Sequence, residues 1–160
     1  MHQPNNLFHF YPVKLPAALD YIVVGQGLAG STVALQLLKR GKKILVIDDP
    51  SENRSSRIAA GLFNPVTGKK LVKTWMADQL FPYLHQFYRE AEQLTSKRFF
   101  FPMYLYRPFT SVEEQNEWMG RSADPAYELY IERVHQRSPF QSELKDLYGG
   151  VVLKQGGYLL

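Results

Sequence analysis

The sequence contains no cysteine, which excludes disulfides, thiolate catalysis and cysteine-based metal sites. Histidine is scarce as well. The four present, His2, His9, His85 and His135, show no metal-ligand spacing and form no His-Glu-x-x-His pattern, so no metal site is expected. No apolar run approaches the ~20 residues that span a bilayer, so no membrane span is expected either. Met1 to Leu19 lack the charged start and apolar block of a signal peptide. Together these absences predict a cytoplasmic, soluble protein. Charge of one sign is only mildly in excess. The net charge is +4, but the basic residues are scattered and the groups Lys39-Arg40, Lys42-Lys43 and Lys69-Lys70 are short. A solvated surface accounts for them, and no nucleic-acid partner is expected.

What is present suits a globular chain with a real core: 160 residues, 45% hydrophobic and 21% charged. The aromatic share of 14% fits either a core or a pocket for a flat ligand. Residues 1–19 hold Pro4, Pro12 and Pro16 among aromatics and read as an irregular arm. Asp20-Tyr-Ile-Val-Val-Gly25 is a β-branched run ending in glycine, a buried strand. Ser31 to Arg40 carries Val33, Leu37 and Ala34, Leu38 at helical spacing, with Gly41 placed to stop the helix. Lys43-Ile-Leu-Val-Ile-Asp48 is a second buried strand. Strand, tight turn, helix and strand make one βαβ unit, whose crossover should be right-handed.

Beyond Ser51 the pattern dissolves into small, polar and turn residues as far as Lys73. Met76, Leu80, Leu84, Phe87, Ala91 and Leu94 then step by three or four along one apolar helix face. Pro82 either kinks that helix or lies in its first turns, after a start near Asp78. Phe99 to Phe109 reads as a strand, with Pro102 and Pro108 arguing for a sheet edge. Ser111-Val-Glu-Glu114 is a capping box opening a short helix. Gly149 to Lys154 and Gly156 to Leu160 read as the two arms of a hairpin.

The one site legible in this pattern is Gly25-Gln26-Gly27-Leu28-Ala29-Gly30, which has the G-x-G-x-x-G spacing between a strand and a helix. Gly25 allows the tight turn, Gly27 lets a pyrophosphate approach the backbone, and Gly30 lets helix and strand pack closely. The N–H groups and dipole at the helix start favour the diphosphate charge. Asp48 closes the second strand eighteen residues after Gly30, placed to accept hydrogen bonds from ribose hydroxyls. Asp48 and Asp49 would repel a 2′-phosphate, which disfavours NADP. The unit alone leaves FAD and NAD both open.

Asp20 to Asp48 resembles the N-terminal fingerprint of flavoproteins in the D-amino-acid oxidase and glycine oxidase superfamily. Ser55-Ser-Arg-Ile-Ala-Ala-Gly-Leu-Phe-Asn-Pro65 looks like that superfamily's next segment, and Gly156-Gly-Tyr-Leu-Leu160 like its strand entering the substrate domain. The resemblance implies FAD as cofactor and places Ser56, Arg57, Ala60 and Gly61 beside its pyrophosphate and flavin ring. Most relatives carry Glu where this chain has Asp48; the shorter side chain should still reach the ribose.

The fold expected is α/β. A Rossmann-like FAD/NAD(P)-binding βαβ unit forms the N-terminal part of a cofactor domain over 20–98, and 99–160 begin an α+β substrate domain. Members of the superfamily are generally much longer, so the chain is expected to be a truncated front part. The resemblance implies an FAD-dependent oxidoreductase that oxidises a small amine or amino acid by hydride transfer to flavin. No catalytic residue is assigned. Arg107 reads as an ordinary exposed arginine rather than a clamp for a substrate carboxylate, and Tyr104, Tyr106 and His85 as packing residues. Two other readings remain: an NAD-linked dehydrogenase on the same βαβ unit, and a truncated, non-catalytic remnant or interaction module. The last would self-associate through exposed sheet edges.

Overall fold

The β-branched runs on either side of the first helix pair with each other. In this computed structural model, β1 (Tyr21–Val24) and β2 (Ile44–Ile47) are parallel, with Tyr21 opposite Ile44 and Val24 opposite Ile47. The structure describes residues 18–49, 55–67, 72–140, 144 and 147–160, without the Arg57 side chain. The expected arm over 1–17 lies outside the described residues. Asp20 fastens the start of the pair, its carboxylate accepting the Lys43 N–H at 2.8 Å.

Helix α1 (Leu28–Lys39) crosses between the strands and begins three residues earlier than its apolar spacing suggests, inside the glycine motif itself. It ends where expected. Gly41, at φ 68°, gives its N–H to Leu38 O, while the Lys42 N–H reaches back to Leu37 O. That is a Schellman ending, which closes the last carbonyls of the helix. Among the described residues, Val23 and Ala34 are the buried apolar residues of this unit. Tyr21, Ile22 and Val24 are exposed, which corrects the expectation of a buried first strand.

The described residues form two compact units, 1–57 and 58–160. In the second, the region expected to be irregular holds short elements: β3 (Leu62–Phe63), and β4 (Val66–Thr67) antiparallel to β5 (Val72–Lys73). A short helix, α2 (Ser55–Ile58), precedes them. Helix α3 (Ala77–Thr95) starts next to Asp78, with Pro82 as its sixth residue. Of the two arrangements open to Pro82, the structure takes the early one. The helix packs against β6 (Phe100–Pro108), so it keeps company with the second unit's sheet.

The C-terminal segment is a correction to the expected hairpin. It is one ten-residue strand, β8 (Gly150–Leu159), pairing with β6 along one side and with β7 (Ile131–His135) and β3 on the other. The Gly156-Gly157 pair looks like a turn in sequence. In the sheet it marks close packing, because a side chain at Gly156 would strike Leu105 at 2.6 Å. Strand β6 does lie at an edge among the described residues, which suits its two prolines.

Helix α4 (Val112–Ser122) starts at Ser111, whose Oγ accepts the Glu114 N–H at 3.2 Å. The reciprocal half of the capping box is displaced by one residue: Glu114 accepts from the Thr110 N–H at 2.8 Å. The core gathers Phe81, Phe109, Trp118, Tyr130, Val151 and Leu153 from α3, α4 and the sheet. Tyr130 donates to Asp78, which also receives Lys73 at 2.6 Å. Burial first, then that carboxylate, pushes the Tyr130 hydroxyl well above the usual phenol range.

Three carboxylates held below their ordinary range, Asp78, Glu92 and Glu113, give the second unit an acid limb. Glu92 accepts the N–H groups of Phe99 and Phe100 at 2.8 and 2.9 Å, which closes the turn from α3 into β6. These bonds hold Glu92 below the ordinary glutamate range, and hydrogen bonds from Lys73 and Tyr130 do the same for Asp78. A lowered folded pKa gives stability that is complete above the unfolded value, about 4, and lost as pH falls through the folded one. The melting temperature should therefore drop below about pH 5. Glu92→Gln should flatten that drop in a melting-temperature profile against pH.

Candidate cofactor site

The turn after β1 is built from backbone. The Gly25 N–H extends the strand pairing by donating to Ile47 O at 2.7 Å, and the chain then reverses at Gly25, φ 91°. Gly27 caps α1, and the first bond within the helix is Ser31 N–H to Gly27 O at 2.9 Å. The N–H groups of Leu28, Ala29 and Gly30 thus fall in the first turn, where a helix offers them no acceptor. Leu28 N–H is met from outside, by Ser56 Oγ at 3.2 Å.

Gly30 and Gly27 are required for different reasons. A Cβ added at Gly30 would lie 1.9 Å from Gly25 O, so helix and turn touch backbone to backbone. A Cβ at Gly27 would meet only Ser56 Oγ, at 3.3 Å, among the described residues. That contact is tight, so a side chain at Gly27 would press on the Ser56 hydroxyl that meets the helix start. Asp48, exposed at the tip of β2, accepts the Gln26 N–H through Oδ1 at 2.9 Å. Asp49 follows it, also exposed.

The first unit therefore brings Gly25 to Gly30, Asp48 and Ser56 together. Arg57 lies in α2, its side chain outside the described residues. Ala60 and Gly61 belong to the second unit, where Ala60 is exposed. Gly61 has a structural reason of its own: at φ 67°, a Cβ there would lie 2.0 Å from Leu159 O. Asp20 and Ser31 had no assigned role in sequence. Asp20 ties β1 to β2, and Ser31 Oγ approaches Gln26 O at 3.4 Å across the turn. The signal for Asp20 was an acid standing immediately before a β-branched run.

The four side chains weighed as catalysts divide. Arg107 is partly buried and paired with Glu114 at 2.9 Å, so its guanidinium braces the start of α4 rather than standing exposed. Tyr106 packs as expected, edge-on to Phe140. His85 lies edge-on to Phe100 and Phe63, and burial first of all lowers its pKa. Tyr104 does not pack; it is 62% exposed.

A parallel strand–helix–strand with its turn pressed onto the helix start is the Rossmann-like architecture of dinucleotide-binding proteins. The chain belongs to the family of FAD dependent oxidoreductases (DAO), whose family model matches residues 20–159. No solved structure matches it. The cofactor of this family is FAD, and its activity is oxidoreduction. No helix among the described residues is long and apolar enough to cross a membrane, and they hold no cluster suited to a metal ion.

Two alanine substitutions test the backbone contact. Gly30→Ala forces α1 off the turn and should destabilise the chain by about 1–3 kcal/mol, as overpacking does. Gly120→Ala, in α4 with open space around it, should stabilise by about 0.5–1 kcal/mol. Thermal melts of both variants check the opposite signs.

Proposed function

We propose that Gly25 to Gly30 and Asp48 hold the ADP half of FAD, and that the protein oxidises a small amine or amino acid. The observation that carries the cofactor reading is the glycine turn pressed onto the start of α1, with the Asp48 carboxylate and the Ser56 hydroxyl held at that same turn. Backbone N–H groups of Ala29 and Gly30 would take diphosphate oxygens, and Ser56 would exchange its bond to Leu28 for one to phosphate. Asp48 would accept from the ribose hydroxyls. The family resemblance, not a contact between the two units, is what implies phosphate neutralisation by Arg57 and a place beside the flavin ring for Ala60 and Gly61. FAD, when bound, supplies the hydride acceptor, and the chain's part is to orient it.

The substrate class rests on the resemblance of Asp20–Asp48 and Ser55–Pro65 to the D-amino-acid oxidase and glycine oxidase superfamily. Exposed Ile22 and Val24 on β1 favour a further reading, association with a second copy through the first unit.

Separate titrations with FAD and NAD test the cofactor reading. Flavin fluorescence should saturate with FAD, and Gly27→Val should abolish saturation by filling the phosphate space. Saturation by NAD alone would replace the proposal with a nicotinamide-linked enzyme. Failure of both nucleotides, together with a dimer in solution, would favour an interaction module.

A further inference from the structure

Strands β6 and β8 lose register at one place. Met103 faces Gly156 and Leu105 faces Leu153, so Lys154 and Gln155 together oppose the single residue Tyr104. Two residues against one is a β-bulge, a feature that re-aims side chains and is common beside functional sites. Gln155 is held there at φ 62°, a left-handed conformation that non-glycine residues adopt only under constraint. His85 lies beside Gln155 there, lining the same space.

The bulge opens onto a cavity of about 480 Å³. Pro82, His85 and Arg89 line it from one face of α3, Tyr104 from β6, and Lys154 and Gln155 from β8. Its lining has two fixed cations and no carboxylate. The contrast with two other cavities of the second unit is chemical. One is lined by Asp124, Glu128 and Glu132 together with Arg133 and Lys154 itself, the other by Glu113, Glu114 and Glu117 with Arg107. Of these three cavities, the one at the bulge has cations from helix and strand and no acid among its lining residues.

We propose that the bulge cavity binds an oxyanion, a carboxylate or phosphate group of a small ligand, between Arg89 and Lys154. Tyr104, exposed at the rim, flanks the ligand's body, and His85 lines the cavity next to Gln155. Lys154 also reaches toward Glu132, but at 3.9 Å. A charge-assisted hydrogen bond closes to about 2.8 Å, so an oxyanion in the cavity competes well for this ammonium. The groups bearing on His85 are Arg89 from its own helix, Lys154 and the Gln155 backbone from β8, and the rings of Phe63 and Phe100. An anion between the cations offsets the repulsion from Arg89 and raises the His85 pKa.

The test is an NMR titration of the 160-residue chain with inorganic phosphate and, separately, acetate, following the Gln155 and Gly156 amides. At least one anion should give saturable shifts there, and which one does so separates a phosphate ligand from a carboxylate. The pair of changes Arg89→Gln and Lys154→Gln should weaken binding about tenfold or more with the remaining spectrum kept. Glu132→Gln, which releases Lys154, should tighten it. The His85 ring pKa should rise with the saturating anion. No saturation by either anion, shifts confined to Gln26–Gly30, or equal binding by the doubly substituted chain would overturn the proposal.

Discussion

Backbone pressed against backbone is the constraint on which both units depend. In the first, the start of α1 sits on the carbonyl of Gly25, at a distance only a hydrogen at Gly30 allows. That contact fixes the helix axis relative to β1, and with it the direction of the first-turn N–H groups. In the second, Gly61 lies against the Leu159 carbonyl and receives its N–H at 3.0 Å, which seats the short β3 on the end of β8. Neither contact stabilises through buried side-chain area. Each sets where an element begins.

Carboxylates that accept backbone N–H groups do the complementary work at the joints. Asp20 takes Lys43 at the base of the βαβ unit, and Asp48 takes Gln26 at its tip. Glu92 takes Phe99 and Phe100 where α3 gives way to β6, and Glu114 takes Thr110 where β6 gives way to α4. A loop leaves donors without ladder partners, and an ionised acceptor makes the stronger kind of hydrogen bond to them. At Asp48 the same device has a second consequence. Under the proposed function, that carboxylate is also the acceptor for the ribose hydroxyls.

The βαβ unit was legible because three signals coincide there: glycine spacing, β-branched runs on both sides, and an acid closing the second run. The α3 and α4 helices were legible from periodicity and from Ser111. The hairpin expectation failed at Gly156-Gly157, because a glycine pair reads alike in a turn and in a crowded central strand. Strands β3, β4 and β5 are two residues each, too short to carry a period. The ion pair of Arg107 with Glu114 links a strand to the following helix, and no local pattern announces it. The cavity at the bulge was hidden for a related reason: Arg89 and Lys154 are 65 residues apart in sequence and meet only through strand pairing.

The central claim is that residues 20–48 cradle an ADP moiety whose ribose is read by Asp48. The most direct measurement compares calorimetric binding of ADP with that of its 2′-phosphorylated analogue. The account predicts that ADP binds, that the added phosphate abolishes binding, and that Asp48→Asn narrows the difference between them. Equal or tighter binding of the 2′-phosphate form, or no binding of ADP to a folded chain, would contradict it.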